Sequence, residues 1–176
     1  MRPRVKICGI TNYDDAALAL ELGADAIGFV MAPSPRRIAP DEAALILERL
    51  RFASLLGPAT RGAATRGAAA AGKREAVCVF VNENPETMSR IVLEAGFDWA
   101  QIHGDETPEE CARFAFPWYR ALRASDPERA ASIAALPWDC PRLLFDAAAA
   151  GAYGGTGRSV PLAIALAARD AARKAG

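Results

Sequence analysis

The side chains able to do chemistry in this sequence are scattered along it, yet each falls at the same kind of place. Cys8 closes the run VKIC and is followed by Gly9. Val5 and Ile7 alternate with Lys6, the period-two signature of a strand. Gly9 lets the chain turn sharply at positive φ where that strand ends. Arg36 follows Ser34-Pro35 in a stiffened turn. Gln101 and His103, the only histidine, stand two apart in QIHGDE. Asn82 ends VFVN, and Asp146 ends the apolar run LLFD. The C-terminal ends of strands are where parallel α/β sheets carry their chemistry. A thiol, an imidazole and a carboxylate gathered at that edge are general acid–base groups. Arginine beside them is suited to clamp a carboxylate in two-pronged fashion.

Each of these has a plainer alternative. Free cysteine is among the most buried residue types, so Cys8 could be a small packed hydrophobe. His103 could be a loop residue bonded to backbone, and Arg36 part of a surface turn. Asp146 at an apolar strand end must be solvated, paired, or placed where a shifted pKa is useful. The loop YGGTG, with Gly154 and Gly155, could bring backbone N–H groups to a phosphate.

Positioning these groups requires a repeated strand-then-helix rhythm, and the sequence has one. After VKIC, Asn12 or Asp14 is a cap for a helix with Ala16, Leu18, Ala19 and Leu22 on one face, closed by Gly23. Residues 25–31 form a second, almost wholly apolar strand, and Pro40 opens a second helix. Strands follow at 75–82, 97–105 with its exit loop, 117–123 and 142–146. Helices follow at 85–96, 108–115, 127–136 and 161–176. Six units in strict alternation predict a parallel α/β sheet with right-handed crossovers in a single domain. Residues 57–73 interrupt the pattern: TRGAA occurs twice and no large apolar residue is present. That composition predicts a flexible surface insertion.

Composition excludes several classes. The 176 residues carry 21 basic and 21 acidic side chains, a formal net charge of +0. Nothing there recommends nucleic acid or an anionic membrane as partner. The four cysteines have no metal-ligand spacing, so reduced thiols and no metal are expected. No apolar run reaches the length of a membrane span and no signal-peptide core follows MRPR, which predicts a cytoplasmic protein.

Together KICGIT, GADAIGFVMAPSPRRI (23–38), VFVN, QIHGDE, and LLFD followed by YGGTG resemble the phosphoribosylanthranilate isomerase family of tryptophan biosynthesis. The resemblance implies a parallel (β/α)8 TIM barrel. It also implies an Amadori rearrangement of N-(5-phosphoribosyl)anthranilate to the carboxyphenylamino-deoxyribulose phosphate, without metal or organic cofactor. By that pattern Cys8 is the general base and Asp146 the general acid. Arg36 contacts the substrate, Gln101 and His103 line the pocket wall, and Gly154 and Gly155 bind substrate through the Gly-rich loop.

The chain also departs from the family. Only six β/α units fit where the barrel has eight, so the barrel is expected to be incomplete. The family's second carboxylate, on the eighth strand, has no counterpart, and VPL (160–162) replaces an aromatic-Asp-Trp segment. Two open sheet edges would be an aggregation hazard unless covered. Three outcomes are compatible with this: an impaired isomerase, a barrel completed by another copy or another chain, or an active enzyme with a rebuilt phosphate site using Arg158 and GGTG. A β/α domain that only binds a phosphorylated metabolite, and a structural partner subunit, are the non-enzymatic alternatives.

Overall fold

The computed structural model describes residues 2–58, 73–147 and 159–175. The insertion expected at 57–73 and the loop carrying Gly154, Gly155 and Arg158 lie almost wholly outside them. Twelve elements alternate: β1 (Lys6–Cys8), α1 (Tyr13–Glu21), β2 (Ala26–Val30), α2 (Pro40–Phe52), β3 (Glu75–Phe80) and α3 (Pro85–Ala95) come first. Then follow β4 (Trp99–Ile102), α4 (Pro108–Cys111), β5 (Trp118–Ala124), α5 (Pro127–Ala134), β6 (Leu143–Ala147) and α6 (Leu162–Ala175).

The helices start where local chemistry starts them. Asn12, Asn84, Thr107 and Asp126 each accept a hydrogen bond from a free backbone N–H at the start of α1, α3, α4 and α5. Proline occupies the first turn of α2, α3, α4 and α5, where its missing N–H costs nothing.

All five strand pairings are parallel and the order is β1-β2-β3-β4-β5-β6. A doubly wound sheet reverses its order part-way and carries helices on both faces. This sheet does neither. On one face Ile27, Phe29, Ala76, Cys78, Phe80, Ala100, Ile102 and Trp118 pack with side chains of the first three helices. Ala124, Leu143 and Phe145 meet α5 and α6 on the same side. The opposite face has its own small cluster of Ala26, Val77, Trp99, Tyr119 and Leu144, with no helix in it. One-way winding with helices outside is the architecture of consecutive barrel units.

Side-chain contacts show that the sheet curls. Lys6 Nζ on β1 donates to Gln101 Oε1 on β4. Arg142, at the start of β6, donates to Glu75 on β3 at 3.1 and 3.3 Å. A flat sheet would hold strands three apart roughly 14 Å from each other. These contacts across it require a concave inner face.

Two sequence expectations need correction. In α1 the buried residues are Ala16 and Leu20, whereas Leu18 and Leu22 are exposed. Leu18 and Leu22 stand roughly opposite Ala16 at 100° per residue. The side that packs on the sheet carries Ala16 and Leu20, with Ala17 and Ala19 partly buried beside them. Helix α4 ends at Cys111, not at residue 115. Phe114 turns inward to stack on Phe116 at 5.1 Å and meet Trp118 edge-on at 5.9 Å. Pro117 further disfavours helical backbone at Phe116.

The outer-face core therefore holds the fold, and substitutions should grade with burial. Phe29→Ala removes a fully buried ring that packs edge-to-face on Phe97 at 5.6 Å; its expected cost is about 3–5 kcal/mol. Leu22→Ala, at 79% exposure, should change stability by less than about 0.5 kcal/mol. Urea unfolding monitored by circular dichroism measures both.

Candidate active site

Register decides which side chains share the concave face. Lys6 pairs with Ala26 and Cys8 with Gly28. Gln101 pairs with Val79 and with Tyr119, and Asp146 with Arg123. Since Ala26, Tyr119 and Leu144 are inward, so are Lys6, Cys8, Gln101 and Asp146. Parallel pairing thus carries the thiol and the carboxylate to the same edge of the same face.

Cys8 is exposed, not packed as a hydrophobe. A Cβ on Gly28 would stand 2.8 Å from Cys8 Sγ, so the bare backbone of β2 makes room for the thiol. Just beyond, Gly9 has φ +90, and its N–H donates to Gly28 O at 2.9 Å. A Cβ there would come within 2.6 Å of Arg36 Cδ. The Arg36 side chain lies across this glycine and donates to Cys8 O at 3.3 Å. The two glycines of the first two units therefore serve one purpose: they let Cys8 and Arg36 crowd together.

On the other side of the face Gln101 and His103 are 4% exposed. Gln101 Oε1 accepts from Lys6 Nζ and from Tyr119 Oη, the latter at 2.9 Å. Its nitrogen stands 3.4 Å from His103 Nδ1. His103 Nε2 makes no hydrogen bond among the described residues, and Asp146 Oδ2 is 3.6 Å from it. Burial pushes the His103 pKa down to about 4; Asp146 opposes the shift and Arg123, Arg120 and Lys6 reinforce it. The imidazole is neutral at neutral pH. Burial likewise lowers the Lys6 pKa, partly offset by charge attraction and hydrogen bonding to Cys8.

The rest of QIHGDE is scaffold. Asn82, at φ 51 after β3, accepts from Asp105 N at 2.6 Å. Its own N–H donates to Glu106 Oε1 at 2.8 Å. Glu106 also takes Arg120 at 2.9 Å, and Arg120 donates to Ile102 O and Gly104 O. A Cβ at Gly104 would lie 2.1 Å from Asn82 Oδ1. These contacts fasten the exits of β3 and β4 together. Among the described residues no cluster of His, Cys, Asp and Glu is arranged to hold a metal, and no helix is long and apolar enough to cross a membrane.

The family model described as N-(5'phosphoribosyl)anthranilate (PRA) isomerase matches residues 62–166. The chain belongs to this isomerase family. It is 39% identical over 158 residues to the N-(5'-phosphoribosyl)anthranilate isomerase of Nitrosomonas europaea, covering 89% of this chain and 65% of that one. It thus spans about two thirds of the length of such curated relatives. Among solved structures, the phosphoribosyl anthranilate isomerase of Thermus thermophilus matches with TM-score 0.73 at 36% identity, covering 96% of this chain and 72% of that one. Another is an isomerase solved with reduced 1-(o-carboxyphenylamino)-1-deoxyribulose 5-phosphate (TM-score 0.62, 32% identity, 84% of this chain and 66% of that one).

Against this isomerase framework, the structure brings Cys8, Arg36, Gln101, His103 and Asp146 to one face and one end. Gly154 and Gly155 lie outside the described residues. Gln101 sits inside β4 and not at its exit, so it reaches the others through His103. Sequence reasoning missed Lys6 and Tyr119, which tie the two halves of the cluster together. Lys6 had a usable signal: it shares the parity of Cys8 in a strand whose pattern was already recognised.

Two outcomes follow from this geometry. Iodoacetamide should alkylate Cys8 first in the native chain, because Cys78 and Cys111 are fully buried and burial pushes the Cys111 thiol up to about 12; peptide mass mapping of the first-modified site checks this. Stability should also fall on acidification. The unfolded imidazole takes its proton near 6.5, whereas His103 in the fold does so near 4. Its contribution is complete above the first value and disappears on the way down to the second, a loss of roughly 3 kcal/mol. Urea midpoints at pH 7 and pH 4.5 should diverge more for the native chain than for His103→Asn.

Proposed function

We propose that this chain catalyses the Amadori rearrangement of N-(5'-phosphoribosyl)anthranilate, with Cys8 as base and Asp146 as acid. The observation that carries the reading is the placement of a thiol and a carboxylate at one edge of one concave face, joined by Lys6, Gln101 and His103. Asp146 protonates the ribose ring oxygen, and the ring opens to a Schiff base. Cys8 then removes the proton on C2, giving an enol-amine that tautomerises to the ketone. A cysteine acts as a base only as thiolate. Arg36, whose side chain lies across Gly9, is the proposed clamp on the anthranilate carboxylate, through two parallel bonds. Gly154 and Gly155 are the proposed contacts to the phosphate. The reaction needs no metal or organic cofactor, and the proposed compartment is the cytoplasm.

A second reading concerns assembly. Ile7 on the outer strand β1, and Val5 just before it, are 42% and 45% exposed. We propose that another chain, or a second copy of this one, covers β1 and β6. Concentration-dependent sedimentation, with turnover rising in step, is the expected behaviour; activity independent of dilution across the transition would exclude a role for the partner in catalysis.

Turnover is followed by the loss of anthranilate-type fluorescence from freshly generated substrate. Cys8→Ser and Asp146→Asn are each expected to lower kcat by about 10²–10⁴-fold. A near-native rate in either variant would overturn that residue's assignment.

A further inference from the structure

The hydrogen-bond chain from Lys6 to Asp146 has a direction, and donor and acceptor chemistry sets it. A lysine ammonium only donates. The Gln101 atom facing Lys6 Nζ and Tyr119 Oη is therefore the amide oxygen. The amide nitrogen, which only donates, then faces His103 Nδ1 at 3.4 Å. Nδ1 must accept, so the single proton of the neutral ring sits on Nε2. That atom is buried, bonded to nothing among the described residues, and 3.6 Å from Asp146 Oδ2.

We infer that Lys6, acting through Gln101, fixes His103 as its Nε2–H tautomer and so presents an N–H donor to the Asp146 carboxylate. Lys6, Gln101 and His103 are positioning residues in this arrangement. Its catalytic meaning rests on the proposed role of Asp146: a donor facing that carboxylate stabilises the charge left after Asp146 has given up its proton. The tautomer does not rest on that role.

Other orientations fail on the same grounds. Flipping the Gln101 amide would set its NH2 against the Lys6 ammonium, donor against donor in a buried site. The opposite tautomer would aim Nδ1–H at an amide NH2 and leave a bare lone pair facing a carboxylate. The charged groups that act on the ring are Asp146 on β6, Arg120 and Arg123 on β5 and Lys6 on β1. Burial keeps the ring neutral, and the three cations reinforce it against Asp146.

The chain has one histidine, so the imidazole 15N spectrum of the untagged protein is a single spin system. At pH 7 it should show a protonated Nε2 and an unprotonated Nδ1. That pattern should persist on acidification until the ring takes up a proton near pH 4. A protonated Nδ1 at pH 7, or a midpoint near 6.5, would overturn the inference. Gln101→Glu replaces the donor by an acceptor and is expected to move a proton onto Nδ1; an unchanged pattern would count against the relay. Lys6→Met should release the amide and produce tautomer averaging, and a native pattern there would remove Lys6 from the scheme. The wild-type and Gln101→Glu spectra decide the matter if Lys6→Met does not fold. All of these are read without substrate. Turnover surviving in Asp146→Asn alongside an Nε2–H ring would sink the acid assignment and leave the relay standing.

Discussion

Lys6 reaching Gln101 across the concave face is the contact on which the site depends. An ammonium taken out of water must find acceptors, because an unpaired buried charge costs several kcal/mol. Here the acceptors are Gln101 Oε1 and Tyr119 Oη, three and four strands away in the sheet. Meeting that demand holds β1 over β4 and β5 across the concave face. Removing the lysine would therefore do more than delete a charge: it would free the amide that orders the opposite half of the site.

A parallel sheet leaves little choice about the rest. Once Ala26 and Val77 point inward, every second residue of each strand follows, and Cys8, Gln101 and Asp146 have no other face to occupy. What register does not decide is depth, and there small residues act. Gly28 provides the space into which Sγ projects, and Gly9 the space under Arg36. Gly104 does the same for a different end, letting Asn82 bind the backbone of the β4 exit. Motif glycines in this fold thus mark where a neighbouring side chain comes close.

Much of this was legible in the sequence because it is local. Strand alternation, proline at helix starts and Asn or Asp caps are decided by near neighbours, and so was the common strand-end address of Cys8, His103 and Asp146. Helix α4 was misjudged because its end depends on where Phe114 finds Trp118, an encounter no local pattern encodes. The face of α1 was misjudged because Leu18 and Leu22 fit a helical stripe as well as Leu20 does, whereas the sheet takes Ala16 and Leu20. The QIHGDE motif carried a subtler trap. Gln101 and His103 join the inward cluster and Ile102 packs in the outer core, but Gly104, Asp105 and Glu106 are a clamp on Asn82 and Arg120. Whether a charged residue touches a ligand or holds a loop is a long-range fact.

The open edges bear on the site less than strand counting suggests. Each contact that orders the cluster is made within the six units: Gly28 against Cys8, Arg36 across Gly9, Lys6 to Gln101 and Tyr119, and His103 toward Asp146. None asks for a seventh strand. In the outer layer, among the described residues, Ile7 has much of its surface in water while Ile27 and Phe29 have almost none. The acid–base pair and the phosphate grip are therefore separable demands on this fold. The proton transfer proposed for this chain draws on Cys8 and Asp146, both held within the six units. The proposed hold on a phosphorylated substrate makes a separate demand, for backbone amides and cations.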